Sequence, residues 1–218
     1  MTRGRLITLE GPEGAGKTTQ LAWLRDRLAA AGIEVVVTRE PGGTPAGESI
    51  RRVLLDPREA PLQPITEALL FCAARAELVA GVIRPALAAG HVVLCDRFAD
   101  ATIAYQGFGR GLPLDRLRAI NAEATGGLKP DLTILLDLPV EVGLTRRRRD
   151  GAEWNRFDAD SLAFHTRVRE GYLALARAEP GRWVVVDAVG GPDTVAGAVW
   201  GVVAPRLMAS LPAGEREG

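Results

Sequence analysis

Five short apolar runs punctuate the chain: Leu6 to Leu9, Ile33 to Thr38, His91 to Cys95, Leu132 to Leu136 and Trp183 to Val186. They are rich in β-branched residues and do not alternate with polar ones, the pattern of parallel strands buried on both faces. Between them apolar residues recur at helical spacing. Leu21, Leu24 and Leu28 share one face of a first helix, and Ile65, Leu69, Cys72, Ala76, Val79, Ile83 and Leu87 share one face of a long third. The alternation predicts an α/β fold, a five-stranded parallel sheet with helices on both faces. After Pro139 the pattern turns helical and runs into Arg146-Arg147-Arg148-Arg149-Asp150-Gly151, ahead of a further helix from Asp158 to Ala178. Such a charged, Gly-punctuated stretch predicts a mobile lid over residues 145–158. Residues 1–211 read as a single domain, and 212–218 as a disordered polar tail.

In an open parallel sheet ligands collect beyond the carboxyl ends of the strands. Glu10, Arg39-Glu40, Asp96-Arg97 and Asp137 fall there. The first strand also leads into Gly11-Pro12-Glu13-Gly14-Ala15-Gly16-Lys17-Thr18, which opens a helical pattern. The spacing G-x-x-x-x-G-K-[ST] between strand and helix is that of a phosphate-binding loop. Its glycines let successive backbone N–H groups form a nest for polyphosphate, completed by the helix N-terminus. Lys17 is expected to reach the β- and γ-phosphates and Thr18 to hold magnesium. Gly11 through Thr19 are the expected ATP-binding segment, and ATP and Mg2+ the expected cofactors.

Composition narrows the partners. The 218 residues are 47% apolar, enough for one core, and 27 basic side chains balance 27 acidic ones. A neutral chain is not steered globally to nucleic acid or a membrane surface, so neither is expected as a partner. No apolar stretch approaches the roughly twenty residues of a membrane span and no cationic-then-apolar leader is visible, which points to the cytoplasm. Cys72 in a helical pattern and Cys95 at a strand end read as two buried free thiols. No Asn-Lys-x-Asp element occurs, which argues against a guanine-specific switch protein.

Beyond the loop, the strand ends carry Thr38-Arg39-Glu40-Pro41-Gly42-Gly43-Thr44, then Asp96-Arg97-Phe98, then Ala104-Tyr105-Gln106-Gly107-Phe108-Gly109-Arg110. Phe164-His165, Arg167-Val168-Arg169 and Tyr172 follow the lid. In this order the segments resemble the thymidylate kinase family, from the first strand to about residue 187. The resemblance implies the P-loop nucleoside-monophosphate kinase fold, Mg-dependent transfer of the ATP γ-phosphoryl group to dTMP, and a homodimer.

The residues suit that chemistry on their own terms. Phe71 and Arg75 are four apart on a helix and offer an aromatic face and a planar donor fork to one ligand, or alternatively pack the core and snorkel. In the family the matching Phe stacks on thymine and the matching Arg bonds its 4-oxo group. Thr102 and Gln106, also four apart, and Tyr105 form a polar edge that the resemblance places beside base and sugar, with Tyr105 crowding a ribose 2′-hydroxyl. Arg97 is the expected clamp on the acceptor phosphate, helped by Arg39 and Arg51, because a guanidinium fork fits phosphate oxygens in two-point fashion. Asp96 is expected to order magnesium, its water or Arg97. The resemblance puts Glu13 near the sugar 3′-hydroxyl and the metal.

Gly14 leaves uncharged a loop position where some family members carry an arginine. The lid run supplies candidates, Arg146, Arg147 and Arg149, for an arginine finger acting in cis. Where many relatives read Asp-Arg-[Ile/Phe]-Glu, this chain reads Asn155-Arg156-Phe157-Asp158. That change puts contacts of those carboxylates in question, and leaves Arg156 as a further phosphate candidate. His91 and His165 lack partner sets for acid–base work and read as structural. The expected adenine site lies around Asp187-Ala188.

Overall fold

The computed structural model describes residues 4–56, 61–149 and 155–208. Five parallel strands, β1 (Arg5–Glu10), β2 (Val35–Arg39), β3 (Val92–Asp96), β4 (Leu132–Asp137) and β5 (Trp183–Asp187), lie in the order β2-β3-β1-β4-β5. The expected five-stranded parallel sheet is thus present. Helix α1 (Lys17–Ala30) and α9 (Pro192–Met208) cover one face. Their Leu21, Leu24, Leu28, Val195, Val199 and Val203 pack on Ile7, Leu9, Leu94 and Ile134. The other face is covered by α3 (Pro64–Leu78), which continues through a π-helical turn Val79–Ile83 into α4 (Arg84–Ala88), and by α8 (Leu162–Ala178). Helices α2 (Pro45–Leu55), α5 (Ala99–Thr102) with its π-helical extension Ile103–Gly109, and α7 (Val140–Arg149) bring residues to the carboxyl edge of the sheet, and α6 (Leu114–Thr125) packs on α3. No helix among the described residues is long and apolar enough to cross a membrane.

Several expectations shift. β2 begins at Val35 rather than Ile33, and His91 precedes β3 instead of opening it. Helix α8 starts at Leu162, where Ser161 caps it by accepting from the Phe164 N–H, leaving Asp158 in the preceding turns. The apolar stripe of the third helical segment is not one buried face. Ile65 and Leu69 are 45% and 50% exposed, whereas Ala68, Cys72, Val79 and Ile83 are buried. The π-helical turn lies just ahead of Pro85, which has no N–H and whose ring crowds the carbonyl one turn back. Both cysteines are free and buried. Residues 150–154 of the expected lid and the tail 212–218 lie outside the described residues.

The register decides where charge gathers. Leu9 and Arg39 both pair with Asp96, and Glu10 pairs with Leu135, so the ends of β1, β2 and β3 reach one line. The chemistry-bearing residues at those ends therefore share one crevice.

Candidate active site

A cleft of about 340 Å³ opens at the carboxyl edge, lined from the phosphate loop to the helical wall formed by α3 and the Ile103–Gly109 segment. Glu13 to Thr19, Arg39, Arg51, Phe71, Asp96, Arg97, Thr102, Tyr105, Gln106 and Arg147 all line it. Its first wall is the loop. Gly11, Gly14 and Gly16 hold φ of 143°, 68° and 83°, values that L side chains avoid, and Gly16 caps α1. Lys17 is folded back, its Nζ donating to the carbonyls of Gly11 (3.1 Å) and Pro12 (3.0 Å). Burial, joined by the Arg97 charge, lowers its pKa to about 8 against the pull of Glu13 and Asp96. At the loop's far side the Thr18 hydroxyl donates to Asp96 Oδ2 at 3.0 Å.

A hydroxyl and a carboxylate meeting at a phosphate loop fit a small hard cation that takes its other ligands from phosphates and water. No cluster of three or more acidic, His or Cys groups suited to a metal occurs among the described residues, so a cation there would depend on the nucleotide for ligands. Glu13 is oriented differently: its Oε1 accepts from Arg97 (2.9 Å) and from the Tyr105 hydroxyl (2.8 Å). Burial raises its pKa, but Arg97 and Lys17 outweigh it and hold the carboxyl at about 2.

Arg97 is the residue around which the cleft turns. It has φ of 68°, the sole positive φ outside glycine among the described residues. Its N–H donates to Leu9 O, and the guanidinium donates to Gly11 O (2.8 Å), the Tyr172 hydroxyl (3.0 Å) and Glu13 while lying over the Tyr105 ring. Arg51 donates to Pro41 O, and Arg39 pairs with Glu48. Burial, and then the nearby Arg39 and Arg97 charges against the pull of Glu48 and Asp96, lowers the Arg51 pKa.

The helical wall is aromatic. Phe71 lies 5.9 Å from Phe157, whose ring also meets Tyr105 edge-on at 6.0 Å. Thr102 and Gln106 line the same wall. Arg75 does not. It is 1% exposed and lies behind the wall, where its five N–H groups all have protein acceptors: Glu40, the Phe98 carbonyl, Thr102 Oγ1 and Asn121 Oδ1. The expected direct donor to a ligand is thus occupied, and the hydroxyl of Thr102 stands between it and the cleft.

The four lid arginines separate. Arg147 lines the cleft and forms a two-point pair with Asp158 (3.0 Å and 3.0 Å). Arg146 instead donates to the carbonyls of Ala188 (2.7 Å) and Val189 (2.6 Å) in the loop expected to receive adenine. Arg148 and Arg149 are exposed. The Asn155 to Asp158 departure is structurally coherent: Asp158 Oδ2 accepts from the Asn155 N–H, and Asn155 Oδ1 from the Phe157 N–H. Arg156, a phosphate candidate by sequence, is committed elsewhere, to Glu67 (2.7 Å) and Leu54 O.

Sequence reasoning missed Glu67, and it named Glu10 and Glu40 at strand ends, Phe157 and Tyr172 without assigning them a partner. Glu67 carried a visible signal, lying four and eight residues before Phe71 and Arg75 on the same helix face. No signal paired Glu10 with Tyr172, since 162 residues separate the hydroxyl from the carboxylate it meets at 2.8 Å.

The family model described as thymidylate kinase matches residues 9–197. Curated relatives include a thymidylate kinase of Thermomicrobium roseum, 61% identical over 197 residues covering 90% of this chain and 93% of that protein. Another, from Deinococcus radiodurans, is 55% identical over 206 residues, covering 94% and 99%. A crystal structure of thymidylate kinase from Ehrlichia chaffeensis superposes with a TM-score of 0.77 at 32% identity, over 92% of this chain and 99% of that one. With the phosphate loop, the guanidinium cluster and the aromatic wall in one crevice, the chain belongs to the thymidylate kinase family.

Proposed function

We propose that the crevice carries out Mg-dependent transfer of the ATP γ-phosphoryl group to dTMP, giving ADP and dTDP, with the following division of labour. The observation that carries it is the single continuous cleft with a phosphate loop at one end and three guanidiniums beside an aromatic wall at the other. The loop amides and Lys17 receive the triphosphate, Lys17 exchanging its carbonyl partners for phosphate oxygens. Thr18 and Asp96 would hold magnesium, which offsets charge between the two phosphate groups. Arg97, Arg51 and Arg39 clamp the acceptor phosphate, and Phe71 and Phe157 flank the pyrimidine. Glu13 and Tyr105, bonded to each other, face the sugar. Arg75 sets the polar back of the seat through Thr102, whose hydroxyl oxygen accepts from the guanidinium and whose own O–H is left to donate to an entering 4-oxo group. Phosphoryl transfer needs positioning and charge compensation more than a strong base. Arg147 supplies that compensation from the lid, and Arg146 shapes the adenine side by holding the Ala188 to Gly190 loop.

The same reading includes a homodimer acting in the cytoplasm. Leu78 is fully buried and Val82 packs against the core, so they offer no free face for self-association. Val53, Ile65 and Leu69 on α2 and α3 are the exposed apolar residues that fit a second copy. Leu69→Arg is expected to shift sedimentation from dimer to monomer; an unchanged dimer places the interface elsewhere.

A coupled ADP-release assay over dTMP, UMP, CMP and AMP tests the function. dTMP is expected to give the highest kcat/KM, and a preference for another monophosphate refutes the assignment.

A further inference from the structure

Glu67 lies at the floor of the cleft's helical wall, fully buried, in the first turn of α3. Three donors from two other segments converge on it. Gln106 Nε2 reaches Oε1 at 2.7 Å, Arg110 Nε approaches the same oxygen at 3.4 Å, and Arg156 bonds Oε2 at 2.7 Å. A glutamine side chain can present either its oxygen or its nitrogen to a ligand, and the two orientations have nearly the same shape. A carboxylate only accepts, so it takes the NH2 and turns the amide oxygen away. Gln106 lines the cleft, and none of the hydrogen bonds among the described residues uses its Oε1.

We infer that Glu67 is a specificity-determining positioning residue: by fixing the Gln106 amide it offers the cleft an acceptor, which selects a pyrimidine bearing an N3–H over one whose N3 is a bare acceptor. Glu67 touches no substrate and acts only through Gln106. The inference rests on the base seat proposed above. It distinguishes thymine and uracil, which share the N3–H, from cytosine, and it has no effect on the 5-methyl group. Arg156 gives the reversal its direction. In Glu67→Gln the single remaining side-chain oxygen is held at the Oε2 position by Arg156, the shorter of the two arginine contacts (2.7 Å against 3.4 Å for Arg110). The new amide NH2 then faces Gln106, whose amide turns over and offers its own NH2 to the cleft.

The test is kcat/KM for dTMP, dCMP and dUMP in wild type and Glu67→Gln, with melting curves to verify folding. The dTMP:dCMP ratio is expected to fall by about tenfold or more, since a buried group left against a mismatched partner is strongly discriminating, while dTMP:dUMP stays constant. Equal loss on all three substrates, or unchanged ratios, overturns the inference and leaves Glu67 structural. Glu67→Gln/Gln106→Glu restores a donor-to-acceptor contact with an acceptor facing the cleft. It is expected to regain the dTMP preference, and it provides the test if the single variant does not fold. Arg156→Gln removes a partner of Glu67 without touching Gln106 and is expected to keep the wild-type ratio. A wild-type enzyme lacking any preference for dTMP over dCMP would instead refute the base seat itself.

Discussion

Phe71 and Arg75 stand four apart on one helix, yet substituting them tests different things. Phe71 faces the cleft, so Phe71→Ala is expected to raise the KM for dTMP about 5- to 150-fold, the equivalent of about 1–3 kcal/mol of base–aromatic stacking, with the KM for ATP nearly constant. Arg75→Ala would strand Glu40 as a buried, unpaired carboxylate. Losing one partner of such a pair costs about 3–5 kcal/mol, so a thermal melt is expected to fall by about 6–20 °C. An unchanged melt would mean that the pair contributes little to the fold. Lys17 makes a third residue-scale prediction. Below about pH 8 it carries its proton and binds phosphate, so kcat/KM for ATP, which reports the free enzyme, is expected to decline as pH rises through that value. Glu13 contributes nothing to that limb because it stays ionised down to about pH 2. These residue types were legible from spacing and strand-end position. Their partners were not, because Arg75 and Glu40 are 35 positions apart in sequence.

At the scale of elements, the phosphate loop and lid helix α7 meet backbone to backbone. A Cβ on Gly14 would lie 2.0 Å from Gly143 O, and one on Gly143 would lie 2.3 Å from Glu13 O. The uncharged loop position is therefore a steric requirement in this chain, and an arginine there has no room unless α7 moves away. Gly14→Arg is expected to lose activity rather than supply a transition-state cation, and Gly143→Ala is expected to lower kcat by displacing α7. Wild-type kcat in either variant would show that the contact is not required. Helical rotation of about 100° per residue explains why the arginine run divides its targets, with Arg147 on the cleft and Arg146 on the β5–α9 loop. Arg147→Ala is accordingly expected to lower kcat by roughly 10³–10⁵, and the exposed Arg149→Ala to change it little. Comparable losses from the two substitutions would remove the distinction.

For the whole molecule, buried charge sets the response to pH. Glu10 lies beneath the crevice, and burial together with Asp100 raises its pKa to about 8 despite hydrogen bonds from Tyr172 and the Phe98 N–H. The folded state thus holds a proton that the unfolded chain releases near pH 4.5, and stability from this group falls as pH rises from about 4.5 to 8. The shift corresponds to a loss on the order of 5 kcal/mol. His165, whose pKa burial lowers, contributes with the opposite sign at mildly acidic pH, so the comparison with an isostere isolates Glu10. Glu10→Gln is expected to flatten melting temperature against pH between 4.5 and 8; parallel curves for the two proteins would exclude Glu10 as the source.

The amino-acid order alone determined the parallel α/β sheet, the phosphate loop and the family's ordered motifs, because buried strands, amphipathic helices and a strand–loop–helix turn are encoded by residues close in sequence. Tertiary structure decided which arginine faces the cleft, that Arg75 sits behind its wall and that Glu67 turns Gln106 outward. Those outcomes depend on hydrogen bonds between segments brought together only by packing, and a donor's direction is settled by the acceptors that surround it after the chain has folded.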